Sequence, residues 1–463
     1  MLVIRHLILK AALTCSLCIL ESGVVAQDTP RTLTLDQAIQ TALKQHSSLQ
    51  RTGAQIGAAA ARTRQAQSGM FPTVTLQAVA TDGPLGAPAF GPLGNPANFG
   101  APPLSVQGMA GDPVKKQFGG GLNITQTILD FGRTQHLVSA RTGLLHSVEQ
   151  DSETQKALVL ITVHNAYLDV LRTQQLTAVN AENVRRRENT VQRARLFVEG
   201  QLKAGVDLQT AQANAAEASV GLIAAQNDVR YAFAALNNAM GATTMTVYTL
   251  SPLNAPNMNL SRRNPPTSIN EATHRALTQR PELKGAQFQR LAADQSIRGV
   301  RSELMPRLDA IASLGIVNPS GVIQNSKNYA VGLAVSIPLY TGGLVENRIS
   351  EERHKRDVAA AQEQEIAESV RLQVVRAWLS VETHSAQVKA AREQVTSANS
   401  SLELAGERYR LQLSTLVELT DSEAANLRAA AFLANAEYDL LQAEAMLDWA
   451  TGDLYRKYVH PGK

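Results

Sequence analysis

The sequence predicts a mainly α-helical chain with a small β part, in which one unit of helix, β-hairpin and long helix occurs twice. Internal repetition is the first reason. Displaced by 211 positions, Gly121-Leu122 falls on Gly332-Leu333, Tyr167-Leu168 on Trp378-Leu379, Asp207-Leu208 on Glu418-Leu419, and Gly241 on Gly452. A displacement of 234 relates the segments just upstream: Leu35 to Ile269, Ala38 to Ala272, Leu43 to Leu277 and Pro72 to Pro306. The difference of 23 is extra loop in the first copy. A duplicated unit of this size is far longer than a short solenoid repeat. Composition is the second reason: aromatics are only 4% of the 463 residues, and the long stretches rich in Ala, Gln, Leu, Arg and Glu suit extended helices. The third is a pair of alternating apolar runs in each copy, bounded by Gly and Pro.

In chain order, residues 1–26 read as a secretory signal. Arg5 and Lys10 form its basic start, 11–20 its apolar core, and Val24-Val25-Ala26 a small-residue cleavage site. The apolar run is too short to span a bilayer as a helix. Cys15 and Cys18 both fall in this leader, so the exported chain is expected to hold no disulfide and no cysteine metal site. The first repeat is placed at 27–241. It opens with a helix over 35–67, capped by Thr34 or Asp36, followed by a strand at 73–81. A loop at 82–116 holds seven Gly and seven Pro, a composition that forms no core element. The second strand is placed at 118–129, with Leu122, Ile124 and Ile128 on one face. A long helix at 133–199 is expected to be a rod of roughly 100 Å. Gly200 and Gly205 bracket a turn, and a return helix follows over 206–240. Prolines 252, 256, 265 and 266 punctuate a linker at 242–268. The second repeat, 269–452, repeats the order: helix 270–303, strands 307–317 and 329–340, long helix 344–410 and a return helix to 451. A tail at 453–463 closes the chain.

Each short helix is about half of a long one, so two stacked end to end match the rod, with the linker near mid-height. Val163, Tyr167 and Val170 form one stripe on the first long helix, and Ile161, Leu168 and Leu171 a second. The second copy repeats both, with Val374, Trp378 and Val381 beside Leu372, Val375 and Leu379. Two stripes suit a helix between two neighbours in a wall; one wide face in an ordinary bundle suits them equally. Strands of nine to twelve residues suit a tilted bilayer crossing. Four strands cannot close alone, since single-chain bacterial barrels start at about eight, and strands in lipid must close. Either several chains share one barrel or the hairpins never enter a membrane.

The formal charge of +4 is modest, and acidic and basic residues alternate along the helices, which gives no stripe for nucleic acid. No enzyme signature is present. His164, His354 and His384 lie on helices without a partner at metal-ligand spacing, and His136 and His146 are ten residues apart. Gly119-Gly120-Gly121 precedes a strand rather than the helix a phosphate cradle needs. No cofactor or metal is expected.

The duplicated helix–hairpin–long helix unit resembles the TolC-like outer-membrane efflux family over nearly the whole exported chain. The resemblance rests also on the strand exits Pro338-Leu339-Tyr340-Thr341-Gly342-Gly343 and Leu129-Asp130-Phe131-Gly132-Arg133, and on the Ala-rich return helices. It implies a homotrimer with a 12-strand outer-membrane β-barrel continued by a 12-helix periplasmic α-barrel. Such a duct passes substrates of an efflux pump or type I secretion system from a periplasmic adaptor and an inner-membrane transporter to the outside. The stretch 409–421 resembles the family's entrance segment, where Glu418 and Asp421 would form a pore-entrance acidic ring; three apart, they share a helix face. Tyr409 and Asp207 match positions that help close the entrance, while Ser414 stands where the family has a basic residue, with Arg410 or Lys203 as substitutes. Gly200, Gly205, Leu411, Ser414 and Thr415 fall where the family meets its adaptor. The competing expectation, from a different class, is an exported coiled-coil scaffold without a channel.

Overall fold

The computed structural model describes residues 32–82, 116–242, 246–251, 266–319 and 326–459. The leader at 1–26, most of the Gly/Pro loop and parts of the linker lie outside the described residues. After a two-residue strand β1 (Thr32–Leu33) come helices α1 (Leu35–Gln45) and α2 (Ser47–Gln67), strands β2 (Thr73–Asp82) and β3 (Lys116–Leu129), the long α3 (Arg133–Glu199) and its return α4 (Gly205–Ala239). A short β4 (Thr249–Leu250) pairs parallel with β1. The second copy supplies α5 (Ile269–Gln279), α6 (Pro281–Arg301), β5 (Arg307–Pro319), β6 (Ser326–Ser336), α7 (Leu344–Arg410) and α8 (Leu416–Thr451), and the chain ends with α9 (Asp453–Val459).

Both long helices have 67 residues and start after a left-handed backbone step. Phe131 and Gly132 have φ of 51° and 86°, and the repeat-related Gly342 and Gly343 have 62° and 79°. Asp130 fixes the first start by accepting from the Gly132 and Thr134 backbone N–H groups at 3.1 and 2.8 Å. At the far tips the left-handed residues are Gln201 and Gln412, φ 58° and 62°, again 211 apart. Gly200 closes α3 with φ −76° and Gly205 opens α4, so the two glycines bracket the turn as expected.

The expected continuous helices at 35–67 and 270–303 are each broken. His46 and Arg280, 234 apart, are both extended (φ −65° and −68°). Pro281 excludes helical backbone at Arg280 and is tolerated at the first position of α6. His46 ends α1, and its ring accepts from the Ser48 N–H at 3.2 Å to start α2. One further expectation is corrected. The strand placed at 329–340 runs Ser326–Ser336 and stops ahead of Pro338, which has no N–H for a ladder. The tail, to which no element was assigned, forms α9 over its described part, with the Tyr458 hydroxyl donating to Asp36 at 3.0 Å and Tyr455 to Glu153 at 2.5 Å.

The helices pack as a wall. Beside the sheet the order is α2, α3, α6, α7, and toward the tips it is α4, α3, α8, α7. The two-sided environment left open by the stripes is therefore found for α3. Mid-height is the densest region. There Val159, Leu160, Val163, Tyr167 and Val170 of α3 meet Ile39, Phe233, Leu236 and Leu250. The Tyr167 hydroxyl lies 3.0 and 2.9 Å from the carbonyls of Leu33 and Ser251, tying the short β1–β4 pair to the rod.

The second sheet has the order β2-β3-β5-β6, antiparallel throughout. Register places Leu76, Leu122, Leu314 and Tyr329 in one row, and Val74, Ile124, Ala312 and Val331 in the next, all on one face. Most of these side chains are open to solvent in the single chain; Leu76 is 75% and Val331 83% exposed. The opposite face carries Thr73, Thr75, Asn123, Thr125, Ser313, Ala330 and Gly332, with Ile311 and Asp309 among them. Within one chain β2 and β6 each keep an unpaired edge.

Two predictions follow from the mid-height joints. Gly241 has φ +73°, and a Cβ there would lie 2.9 Å from the Cα of His46; Gly452 has φ +86° but would meet only the flexible Gln279 side chain at 3.2 Å. Gly241→Ala should cost roughly 1–3 kcal/mol, and more than Gly452→Ala, in thermal unfolding of the purified protein. His164 is fully buried, neither ring nitrogen has a hydrogen-bond partner, and burial, with Lys457 adding to it, depresses its pKa from 6.5 to about 4. The folded chain refuses a proton that the unfolded chain accepts, so stability is intact above pH 6.5 and falls toward pH 4 by about 3 kcal/mol. Replacing His164 with Leu should flatten that acid slope and leave stability at pH 8 little changed.

Candidate functional site

At the tips, four helices meet around one apolar plug: Ala194 of α3, Ala211 of α4, Ala405 and Tyr409 of α7, and Leu416 and Leu419 of α8. Tyr409 is fully buried and packs edge-on against Phe197, with ring centroids 5.6 Å apart. Its hydroxyl has no hydrogen-bond partner within the chain. Burial raises its pKa and the nearby Asp207 carboxylate adds to this, while Arg193 opposes. Tyr409 and Asp207 are thus electrostatic neighbours in this chain and share no hydrogen bond among the described residues.

Ser414, where a cation was missed, is buried. Of the two substitutes named from the sequence, Arg410 is taken by Glu407 at 2.6 Å. Lys203, in contrast, donates to the Ser414 carbonyl at 3.3 Å and lies 6.0 Å from the Tyr409 ring centroid. Lys203 and Ser414 are 211 apart, so the contact joins repeat-equivalent positions of the two hairpins.

Thr415 caps α8 by accepting from the Glu418 N–H at 3.2 Å, and Glu418 in the first turn is favoured by the helix dipole. Its carboxylate also faces Arg408 at 3.5 Å. Asp421, one turn on, is exposed. Both acids are therefore on accessible surface at the tip end of α8. Gly200, Gly205 and Leu411 are exposed there too, whereas Ser414 is not.

Farther from the tip, the α3–α8 seam is polar and closed. Arg187 and Glu423 form an ion pair of 2.8 Å, Thr190 donates to Glu423 at 2.7 Å, and the Arg187 guanidinium lies 3.4 Å from the Thr420 carbonyl. Arg186 bonds Asn426, which donates to Asn399 of α7 at 2.6 Å. A cavity of about 230 Å³ opens beside them, lined by Glu182, Asn183, Arg186, Asn426 and Leu427 among others. Sequence reasoning missed this seam, because its partners are more than two hundred residues apart and look like ordinary surface charges. It also missed the exposed apolar pairs Leu202 with Val206 and Leu413 with Val417. The displacement of 211 superposes these two pairs and was the signal that could have found them.

The model of a protein family described as outer membrane efflux protein matches residues 38–242 and 272–453. The chain belongs to the outer membrane efflux protein family. It is 24% identical over 334 residues to the outer membrane efflux protein BepC of Brucella suis biovar 1 (strain 1330), spanning 72% of this chain and 71% of that protein. It is 27% identical over 353 residues to the outer membrane protein TolC of Escherichia coli (strain K12), spanning 72% and 69%. Among solved structures, that of CusC superposes with a TM-score of 0.76 at 16% identity, covering 90% of this chain and 92% of that one. VceC from Vibrio cholerae gives 0.72 at 20% identity, covering 90% and 96%. The efflux protein accordingly resides in the outer membrane with a periplasmic part, and its relatives are channels rather than enzymes. The coiled-coil scaffold expectation finds no support among them.

In this efflux protein the buried seam gives a stability prediction. Glu423→Ala strands the Arg187 guanidinium and should cost roughly 3–5 kcal/mol, whereas Arg187→Met with Glu423→Leu together should cost far less. Thermal unfolding of the purified variants checks the difference.

Proposed function

We propose that three copies of the chain close one barrel of twelve strands in the outer membrane, continued by a tunnel of twelve helices across the periplasm. The observation that carries this reading is the β2-β3-β5-β6 sheet: two edges unpaired among the described residues, one apolar face open, and one face mostly of small and polar side chains. In lipid an unpaired edge costs several kcal/mol per group. Pairing β6 of one copy with β2 of the next removes both edges at once and turns the polar face to the lumen. The wall of four helices in each copy continues the same closure, with α7 meeting α2 and α4 of its neighbour.

In that assembly the tips form the periplasmic entrance. Glu418 and Asp421 line it, a negative ring that favours cations. Tyr409, Asp207 and the Lys203–Ser414 contact hold it narrow. The duct accepts substrate from a periplasmic adaptor and an inner-membrane transporter, as an efflux pump or type I secretion system requires. Adaptor contact falls on Gly200, Gly205, Leu411 and Thr415, with the exposed pairs Leu202/Val206 and Leu413/Val417 as the apolar anchors and Ser414 acting only through its backbone.

Single-channel recording in planar bilayers tests the reading. The wild-type protein should give small, cation-preferring channels, and replacing both Glu418 and Asp421 with Ala should raise conductance and weaken that preference. Protein that inserts into bilayers without opening any channel contradicts the duct.

A further inference from the structure

We infer that Arg408 is a selectivity-determining residue of the entrance: it compensates Glu418, so that of the two acids on α8 only Asp421 is left uncompensated at the mouth. This inference rests on the duct reading above. Arg408 lies in the last turn of α7 and Glu418 in the first turn of α8, each at the helix end that favours its charge. The tip turn folds them together, with the guanidinium Nε 3.5 Å from the Glu418 carboxylate. Both side chains remain about half exposed, at 48% and 42%, so the pair faces the aqueous mouth and is not sealed in the apolar plug.

The neighbouring cations are otherwise engaged. Arg410 pairs with Glu407, and Lys203 is directed at the Ser414 carbonyl. Among the described residues, no Lys, Arg or His side chain stands within ion-pair distance of Asp421. The second hairpin of each copy therefore presents Glu418, Asp421 and one guanidinium to the entrance, half the net negative charge that those two acids alone would give.

The repeat shows that this is a feature of the second hairpin. Displaced by 211, Glu418 corresponds to Asp207, but Arg408 corresponds to Phe197. Phe197 is spent on packing against Tyr409, so the first hairpin has an acid and no counter-charge at this place. Arg408 tempers the potential without a change of pore width, because Arg408 and Glu418 lie outside the apolar plug that joins the helices.

The test is the reversal potential of the full-length protein in planar bilayers under a potassium chloride gradient, with Arg408→Gln, Glu418→Gln, their combination, and Asp421→Asn. The potassium-to-chloride permeability ratio should rise about twofold or more in Arg408→Gln, as the uncompensated charge doubles. It should return to the wild-type value in the combined variant, and fall in Glu418→Gln and Asp421→Asn. Conducting channels in which Arg408→Gln leaves the ratio unchanged, and the combined variant falls like Glu418→Gln, overturn the inference and leave the duct standing. A wild-type protein that forms no channel overturns the duct reading and this inference with it.

Discussion

Everything in the molecule answers to the unsatisfied edges of one four-stranded sheet. Among the described residues the outward-facing backbone N–H and C=O groups of β2 and β6 have no partner strand, and the apolar rows headed by Leu76 and Val74 have no core to cover them. A soluble protein would bury such a face or break it with charge. This chain does neither. Its alternation instead places mostly Thr, Ser, Asn, Ala and Gly, with Asp309 and Ile311, on the other face, a more polar lining that suits a water-filled interior. The proposed barrel puts both faces in place: a bilayer covers the apolar one, and closure draws strands from further copies.

The helices carry the same constraint away from the bilayer. Each long rod continues directly from a strand, with only a left-handed step at Phe131-Gly132 or Gly342-Gly343 between them, so strand order dictates helix order. Where α3 and α7 outrun a single short neighbour, two short helices are stacked against them, and the joints are fixed at mid-height by Gly241 against His46 and Gly452 against Gln279. Tyr167 and the α9 tail thicken that level. The largest buried cluster thus sits at its middle, and the tips are held by one apolar plug and a few polar contacts.

Much of the architecture was legible because periodicity and repetition reinforce each other. Glycines and the displacement of 211 bounded both long helices, and alternation bounded the strands to within a few residues. What was missed has physical reasons. The break at Arg280 had a signal in Pro281, but His46 has no proline beside it, and only the displacement of 234 connects the two. The α9 tail is held by tyrosine–carboxylate contacts between residues hundreds of positions apart, which no local pattern reports. At the tip, the sequence named Tyr409, Asp207, Glu418 and Asp421, but it could not tell that Tyr409 is buried in the plug, that Lys203 reaches Ser414, or that Arg408 answers Glu418. Those facts depend on how two hairpins fold onto each other.

The measurement that tests the central claim most directly is the native mass of the protein extracted from outer membranes in mild detergent. The account predicts three chains per particle, the number proposed to close one barrel of twelve strands. A monomer recovered from the soluble fraction would contradict it, since the free edges and the open apolar face would then have to be stable in water.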